Sequence, residues 1–146
     1  MRIRAPGKIN LFLRVTGKRP DGYHDLVSLM CCVGIHDELE LAFGPWQTRV
    51  VCAHPDVPEN EANLAWRAAE LFFRTAAIAG TGVHITINKV IPVGGGLGGG
   101  SSNAAAVLNA LNTRFDAPFS TRELHDMARL LGADVPFFLY KKPAIA

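Results

Sequence analysis

The chain has 146 residues and a formal net charge of +2, with 49% apolar and 19% charged residues. This length suits one compact domain, and the composition is that of an ordinary globular protein rather than a disordered one. The small net charge lacks the basic excess of nucleic-acid-binding surfaces, so we expect neither nucleic acid nor an anionic membrane as a partner.

The cysteines and the N-terminal segment indicate an intracellular setting. Cys31, Cys32 and Cys52 are odd in number and include an adjacent pair, which is typical of reduced core thiols rather than of disulfides or a zinc site. The segment 1–8 is too polar for a signal peptide, and no apolar run approaches the roughly 20 residues that span a bilayer. We therefore expect a cytoplasmic protein.

The first part of the chain predicts strands. Residues 8–15 alternate between apolar and polar side chains, which predicts a half-buried strand. Its apolar face would consist of Ile9, Leu11, Leu13 and Val15. The apolar run 26–33 fits either a buried strand or a short helix, while alternation over 39–43 predicts a second strand and 49–53 a short third one.

The second part is mostly helical. Asn63 as N-cap and Gly80 as stop signal delimit a first helix, and residues 83–87 alternate as a strand. A second helix is predicted to begin at Ser101–Asn103. The pair Ser120 and Glu123 predicts a capping box for a third helix, which ends at Gly132.

The apolar run Val135–Tyr140 predicts a final buried strand. The predicted strands come mainly before the helices and not in strict alternation with them. This order predicts an α+β sandwich rather than a doubly wound sheet.

The segment between the strand at 83–87 and the second helix holds six glycines within residues 94–100. Ordering such a segment costs conformational entropy, but successive backbone N–H groups without Cβ atoms can converge on an anion. The positive end of the helix that follows adds to this field. We interpret the segment as a phosphate-binding loop. A flexible Gly/Ser linker is the alternative, but its place between a strand and a helix of one domain argues against it.

Two other phosphate-binding motifs fit the loop poorly. A Walker A motif needs a lysine after its last glycine, whereas Gly100 is followed by Ser101. The dinucleotide pattern G-x-G-x-x-G is matched by Gly94, Gly96 and Gly99, yet so many glycines make this match uninformative. Asp116 also follows a helix, whereas the acidic residue of that motif should end a strand.

Pro92, the glycine run and the pair Ser101 and Ser102 resemble the ATP loop of the GHMP kinases. The segments 5–11, 19–24 and 132–138 narrow the resemblance to members that act in non-mevalonate isoprenoid biosynthesis. It implies ATP- and Mg²⁺-dependent phosphorylation of the 2-hydroxyl of 4-diphosphocytidyl-2-C-methyl-D-erythritol. It also implies the ribosomal-protein-type α/β sandwich of the family's N-terminal domain, spanning residues 1–146, with the C-terminal domain absent.

The same resemblance implies roles for individual residues. Asp134 would be the catalytic base and Lys8 its cationic partner, since a nearby cation favours the ionised carboxylate. Asn10, Tyr23 and His24 would bind the acceptor, and Ser102 is a candidate magnesium ligand. The residues that would bind ATP are Pro92, Val93, Gly94, Gly95, Gly96, Leu97, Gly98, Gly99, Gly100, Ser101, Ser102, Asn63 and Leu64.

Two alternative functions remain open. Another GHMP kinase, acting on a mevalonate derivative, homoserine or a sugar, shares the loop, although the Tyr23-His24 segment argues against it. A nucleotide-binding module without turnover is the other, because family members are longer than this chain and carry a second domain that closes the substrate cleft. The chain would then be a fragment, one of two partner chains or a shortened paralogue. The face where that domain packs would be exposed and would favour self-association.

Overall fold

The computed structural model describes residues 1–18, 22, 24–140 and 142–145, without the side chains of Lys18, His24, Leu26 and Ile145. Tyr23 therefore lies outside the described residues, as does the side chain of His24. The elements in chain order are β1 (Arg2–Lys18), β2 (His24–Gly44), β3 (Arg49–Cys52), α1 (Leu64–Thr75), β4 (Gly82–Asn88), α2 (Gly99–Arg114), α3 (Thr121–Leu131), α4 (Val135–Tyr140) and β5 (Ala144–Ile145).

The strands form one mixed sheet in the order β1-β2-β4-β3. β2 pairs antiparallel with both β1 and β4, whereas β3 runs parallel to β4. The short β5 pairs with Leu29 and Met30 of β2, beyond the end of β4. The long β1–β2 ribbon thus carries the remaining strands along only part of its length.

Helices α1 and α2 pack against the sheet, and α3 and α4 pack against α2. In β4, Val83, Ile85 and Ile87 are buried, whereas Thr86 and Asn88 are exposed, so alternation directs one face of the strand into the core. The buried side chains of sheet and helices form one cluster. The predicted α+β sandwich is confirmed.

Most of the predicted helix signals are found in the structure. Asn63 caps α1 through its side chain, and Ser120 and Glu123 form the predicted capping box of α3. The boundaries differ, because α1 ends at Thr75 rather than at Gly80, and α2 begins at Gly99, two residues earlier than predicted. In the described part of the chain, no helix is long and apolar enough to cross a membrane.

The prediction of a final strand at Val135–Tyr140 is wrong, because this segment is helix α4. Pro136 is its second residue, where a missing N–H does no harm to a helix. Val135, Phe137 and Phe138 are buried, and α4 packs against α2 and α3. In a run with so few polar residues, periodicity could not separate a strand from a helix.

The prediction of a half-buried strand at 8–15 is wrong in its burial. Residues Leu11, Phe12, Leu13 and Val15 are each more than half exposed, on both faces of the strand. None of these four side chains belongs to the core cluster. The run 26–33 and the strand at 39–43 belong to the single long strand β2.

Candidate active site

The glycine loop, residues 92–98, connects the end of β4 to the start of α2. Gly94, Gly96 and Gly98 all have positive φ angles. At Gly98, with φ of 68°, a Cβ atom would also lie 2.9 Å from the Phe138 ring and 3.3 Å from Lys8 Cγ. Only glycine therefore satisfies both the backbone angle and the close approach at this position.

The loop ends at the N-terminus of α2. Gly98 is the N-cap, and the first turn leaves the N–H groups of Gly99, Gly100 and Ser101 without helical acceptors. The amide of Ser102 closes the first helical bond, to Gly98. A negatively charged group in front of this turn is stabilised by the free N–H groups and by the helix dipole.

A cavity of about 530 Å³ lies over the loop and the start of α2. Most of the residues predicted to bind ATP line it, as do both predicted catalytic residues. These predicted lining residues are Lys8, Asn63, Leu64, Pro92, Val93, Gly94, Gly95, Gly96, Leu97, Gly98, Gly99, Gly100, Ser101 and Asp134. Lys8, the glycine loop and Asp134 are thus brought to one place.

Lys8 is buried on β1 beside the loop. Its backbone N–H donates to the Leu97 carbonyl over 2.9 Å, which fastens the strand to the loop. Its ammonium donates to Asn10 Oδ1 over 2.6 Å and lies 3.7 Å from Asp134 Oδ2. The Asp134 side chain is 39% exposed, so a ligand in the cavity can reach this carboxylate.

Asn63 and Leu64 line the same cavity from the start of α1. The Asn63 side chain accepts a hydrogen bond from the Ala65 N–H and donates one to the Pro58 carbonyl. This amide therefore holds the cap and the preceding segment in place. The half-buried Leu64 is the apolar surface that these two residues offer to a ligand.

Two predicted residues lie off the cavity. Asn10 contacts Lys8 but does not line the cavity. Ser102 is buried next to Ser101, and its hydroxyl has no hydrogen-bond partner among the described residues. The cavity wall instead includes Ser101 and Asn103 at this point of α2. Tyr23 and the side chain of His24 are outside the described residues.

A second lysine in the cavity wall, Lys89, was not predicted as a site residue. It pairs with the buried Asp37 of β2, and its ammonium lies 3.0 Å from Asp37 Oδ2. A signal for both exists in the sequence. Asp37 shares the strand parity of the buried Leu39 and Leu41, and Lys89 continues the parity of the buried β4 residues. A charged residue on an inward face indicates a buried ion pair.

Among the described residues, no group of three or more histidine, cysteine, aspartate or glutamate side chains could hold a metal ion. The loop, the helix N-terminus and Lys8 together favour a phosphate-bearing ligand, with Asp134 as the accessible carboxylate beside it. The chemistry that fits this arrangement is transfer of a phosphoryl group to a hydroxyl.

Comparison with known proteins agrees with this chemistry. The family model described as the GHMP kinases N terminal domain matches residues 63–142. The 4-diphosphocytidyl-2-C-methyl-D-erythritol kinase of Desulfotalea psychrophila is 50% identical over 140 residues, which are 94% of this chain and 47% of that protein. The chain spans about half the length of the curated relatives that it matches.

Solved structures give the same result. A crystal structure of 4-(cytidine 5'-diphospho)-2C-methyl-D-erythritol kinase is 43% identical with a TM-score of 0.80, covering all of this chain and 51% of that one. Methanococcus jannaschii mevalonate kinase shares the fold at 16% identity and a TM-score of 0.72, covering all of this chain and 53% of that one. Because the family model matches more than half of its residues, the chain belongs to the GHMP kinase family.

Proposed function

We propose that the chain binds ATP over the glycine loop and takes part in its use to phosphorylate the 2-hydroxyl of 4-diphosphocytidyl-2-C-methyl-D-erythritol. The observation that carries the proposal is the Lys8–Asp134 pair, 3.7 Å apart at the wall of the phosphate-loop cavity. The relative from Desulfotalea psychrophila, named as the kinase of this compound, supports the choice of acceptor. In the proposed enzyme, a second domain like that of the longer relatives completes the acceptor pocket.

ATP binding rests on the loop and on the start of α2. The free N–H groups of Gly99–Ser101 lie at the positive end of the α2 dipole, beside the cavity. A bound triphosphate is most stabilised at this end of the helix. Lys8 adds a buried positive charge at the same wall. Leu64 supplies apolar contact on the side of Asn63, where we place the adenine.

The proposed reaction needs a proton acceptor beside the attacking hydroxyl. The 2-hydroxyl oxygen forms a bond to the γ-phosphorus while the bond from that phosphorus to the β,γ-bridging oxygen breaks, and ADP leaves with that oxygen. The hydroxyl proton moves to an Asp134 carboxylate oxygen. Lys8 holds this carboxylate through its ammonium and stabilises negative charge on the transferred group.

The donor set fits a magnesium ion that arrives with the nucleotide. Mg²⁺ is commonly held by one or two protein oxygens together with substrate phosphates rather than by a full protein cage. The cavity wall offers the Ser101 hydroxyl for this purpose. Ser102 stays a candidate, with its hydroxyl buried away from the wall. The ion would neutralise charge on the phosphates.

The acceptor site is proposed from fewer contacts. Asn10 Oδ1 accepts from Lys8 Nζ, which leaves its NH₂ group as the part that an acceptor hydroxyl can contact. Tyr23 and His24 remain the proposed contacts of the cytidine, since an aromatic ring can cover a base and an imidazole can bond its edge.

Self-association was expected through the face where the second domain of the family packs, and exposed apolar residues of β1 are a further surface that favours it. Leu11 is 60% exposed, and Phe12, Leu13 and Val15 are each more than half exposed. Exposed apolar side chains of this kind favour contact with a second copy. Sedimentation velocity over a range of concentrations checks this expectation, and a concentration-independent monomer contradicts it.

A nucleotide-binding module without turnover is the second candidate, because the chain spans only about half of its relatives. Turnover and binding measured on the same chain separate the two. The purified chain is incubated with ATP–Mg²⁺ and the cytidylated acceptor, with mevalonate or homoserine as comparison acceptors. ADP and the phosphorylated product are measured, and nucleotide binding is measured by calorimetry. Product from the cytidylated acceptor, and not from the comparison acceptors, supports the proposal. Nucleotide binding without product supports the module, and product from another acceptor supports a different GHMP kinase.

A further inference from the structure

The carboxylate of Asp37 is fully buried and holds the chain at the point where β4 leads into the glycine loop. Its Oδ1 accepts hydrogen bonds from the backbone N–H groups of Val90 and Ile91, both over 2.8 Å. Its Oδ2 lies 3.0 Å from the Lys89 ammonium. One side chain of β2 therefore fixes three consecutive residues, 89–91, directly before the loop.

Two of these residues, Lys89 and Ile91, lie against the other end of the loop. A Cβ atom on Gly99, the first residue of α2, would lie 2.9 Å from Lys89 Nζ and 3.1 Å from Ile91 Cγ2. Ile91 itself is 1% exposed. Residues 89–91 and Gly99 thus form the neck of the loop. Asp37 sets the position of one side of this neck, against which the other side packs.

The Lys89 ammonium is held within the neck. It donates hydrogen bonds to Asp37 Oδ1 and to the carbonyl of Ile91. Its contact with Asp37 Oδ2 is an ion pair. Lys89 therefore ties Asp37 to the backbone of the neck, and its charge is paired more closely than that of Lys8.

We infer that Asp37 is a positioning residue of the phosphate loop, acting through Lys89 and the Val90 and Ile91 amides to set the affinity for the nucleotide triphosphate. The inference rests on the proposed ATP binding at this loop. A convergent set of loop N–H groups binds an anion well only when both ends of the loop are fixed, because small displacements weaken every contact at once. The charge-assisted bonds of Asp37 are strong enough to supply that fixation.

A purely structural ion pair would stabilise the fold without setting the loop, and a matched core variant separates the two roles. Leu41 lies four residues from Asp37 on the same face of β2 and is buried in the core. Leu41→Ala destabilises the domain through a cavity but leaves the neck unchanged. Asp37→Asn removes the charge that holds Lys89 while preserving the size of the side chain.

Binding of ATP–Mg²⁺ and of inorganic tripolyphosphate is measured by calorimetry on the wild-type chain and both variants, at a temperature where all are folded. We expect Asp37→Asn to weaken both ligands by about tenfold or more, and Leu41→Ala to leave both affinities within about twofold. Equal affinities for Asp37→Asn and the wild type, or equal losses in both variants, overturn the inference.

Two further measurements cover the remaining outcomes. If Asp37→Asn does not fold, the double variant Asp37→Asn/Lys89→Met replaces the ion pair with an uncharged pair and restores folding. Wild-type affinity in that variant overturns the inference. If the wild type binds no nucleotide, the proposed function fails by itself. Hydrogen exchange of residues 92–101 then decides the inference, which requires faster exchange in the Asp37 variant than in Leu41→Ala.

Discussion

Two lysine–aspartate pairs each place their lysine in the wall of one cavity, and they differ in their separation and in the exposure of the aspartate. The side chains of Lys89 and Asp37 are both buried and bond each other and the backbone of the loop neck. Lys8 is also buried, but it lies 3.7 Å from Asp134, which is 39% exposed. The first pair hides its carboxylate in the core, and the second leaves its carboxylate accessible to a ligand.

We propose that this difference separates a structural charge pair from a reactive one. A close, buried pair such as Lys89–Asp37 resists displacement, and removing one member leaves an uncompensated charge. A loosely paired, accessible carboxylate can accept a proton from a substrate hydroxyl without breaking the fold. Residue type alone would rank the two pairs as equal, so the distances and the exposure of the aspartates decide between them.

The largest expected effect is on catalysis by the Lys8–Asp134 pair. Any turnover with the cytidylated acceptor should fall by at least about 10³-fold in Asp134→Asn, because the variant lacks the proton acceptor. The matched control is Asp116→Asn, at an exposed aspartate that follows α2, which should turn over as the wild type does. Initial rates of ADP release check this expectation, and an unchanged rate in Asp134→Asn removes Asp134 from the mechanism.

The next effect is on stability, and it reverses the ranking of the two pairs. Asp37→Asn should lower the free energy of unfolding by about 3–5 kcal/mol, because it leaves Lys89 buried without its counter-charge. Asp134→Asn should change it by less than about 1 kcal/mol, since its ion pair is long and partly exposed. Urea unfolding of both variants measures the contrast. Equal losses would show that the two pairs are not different in kind.

A smaller effect on stability and on ATP affinity is expected at Gly98, where the glycine loop packs against Lys8. Gly98→Ala should destabilise the chain by about 1–3 kcal/mol and weaken ATP binding, because a Cβ atom conflicts with the positive φ and with Phe138. Gly95→Ala is the control, since its Cβ would make only ordinary contacts, at 3.4 Å or more. Similar stability and affinity in the two variants would contradict the close packing of Gly98 between Lys8 and α4.

The smallest effect concerns a carboxylate remote from both pairs. Hydrogen bonds from the side chain and the backbone N–H of Ser120 lower the pKa of Glu123 below its ordinary value of 4.5. A carboxyl group whose pKa is lowered in the folded state stabilises the fold at a pH above its ordinary pKa. This contribution disappears as the pH falls through the folded-state pKa. The stability difference between wild type and Ser120→Ala should therefore narrow in acid.

Unfolding midpoints followed from neutral pH down through the carboxylate range measure this narrowing. A difference that stays constant or widens on acidification would show that the capping box does not set the titration of Glu123.

The sequence predicted the features that depend on local pattern. Alternation over 83–87 identified a strand, the glycine density identified the loop, and Ser120 with Glu123 identified a helix start. Val135–Tyr140 was assigned wrongly because its run of apolar residues carries no clear period, and helix packing against α2 decides its conformation. The exposure of Leu11 and Leu13 was not predictable, because it depends on how far the helices extend along the ribbon.

The Lys8–Asp134 pair could be predicted from local motifs, whereas the Lys89–Asp37 pair depends on tertiary structure. Lys8 and Asp134 were predicted as site residues because each lies within a motif that resembles the family's own, although they are far apart in the chain. Asp37 and Lys89 lie outside the quoted motifs and meet only through the pairing of β2 with β4. A charged residue at an inward strand position was the available signal, but identifying its partner required the register.

Calorimetric titration of ATP–Mg²⁺ into the wild-type chain and Lys8→Met tests the central claim most directly, with Lys142→Met as the control at an exposed lysine. We predict saturable binding by the wild type and by the control, and an affinity lower by about tenfold or more in Lys8→Met, because a charge-assisted contact to the phosphates is lost. A wild-type chain that does not bind ATP, or a Lys8→Met variant that binds it equally well, would contradict the account.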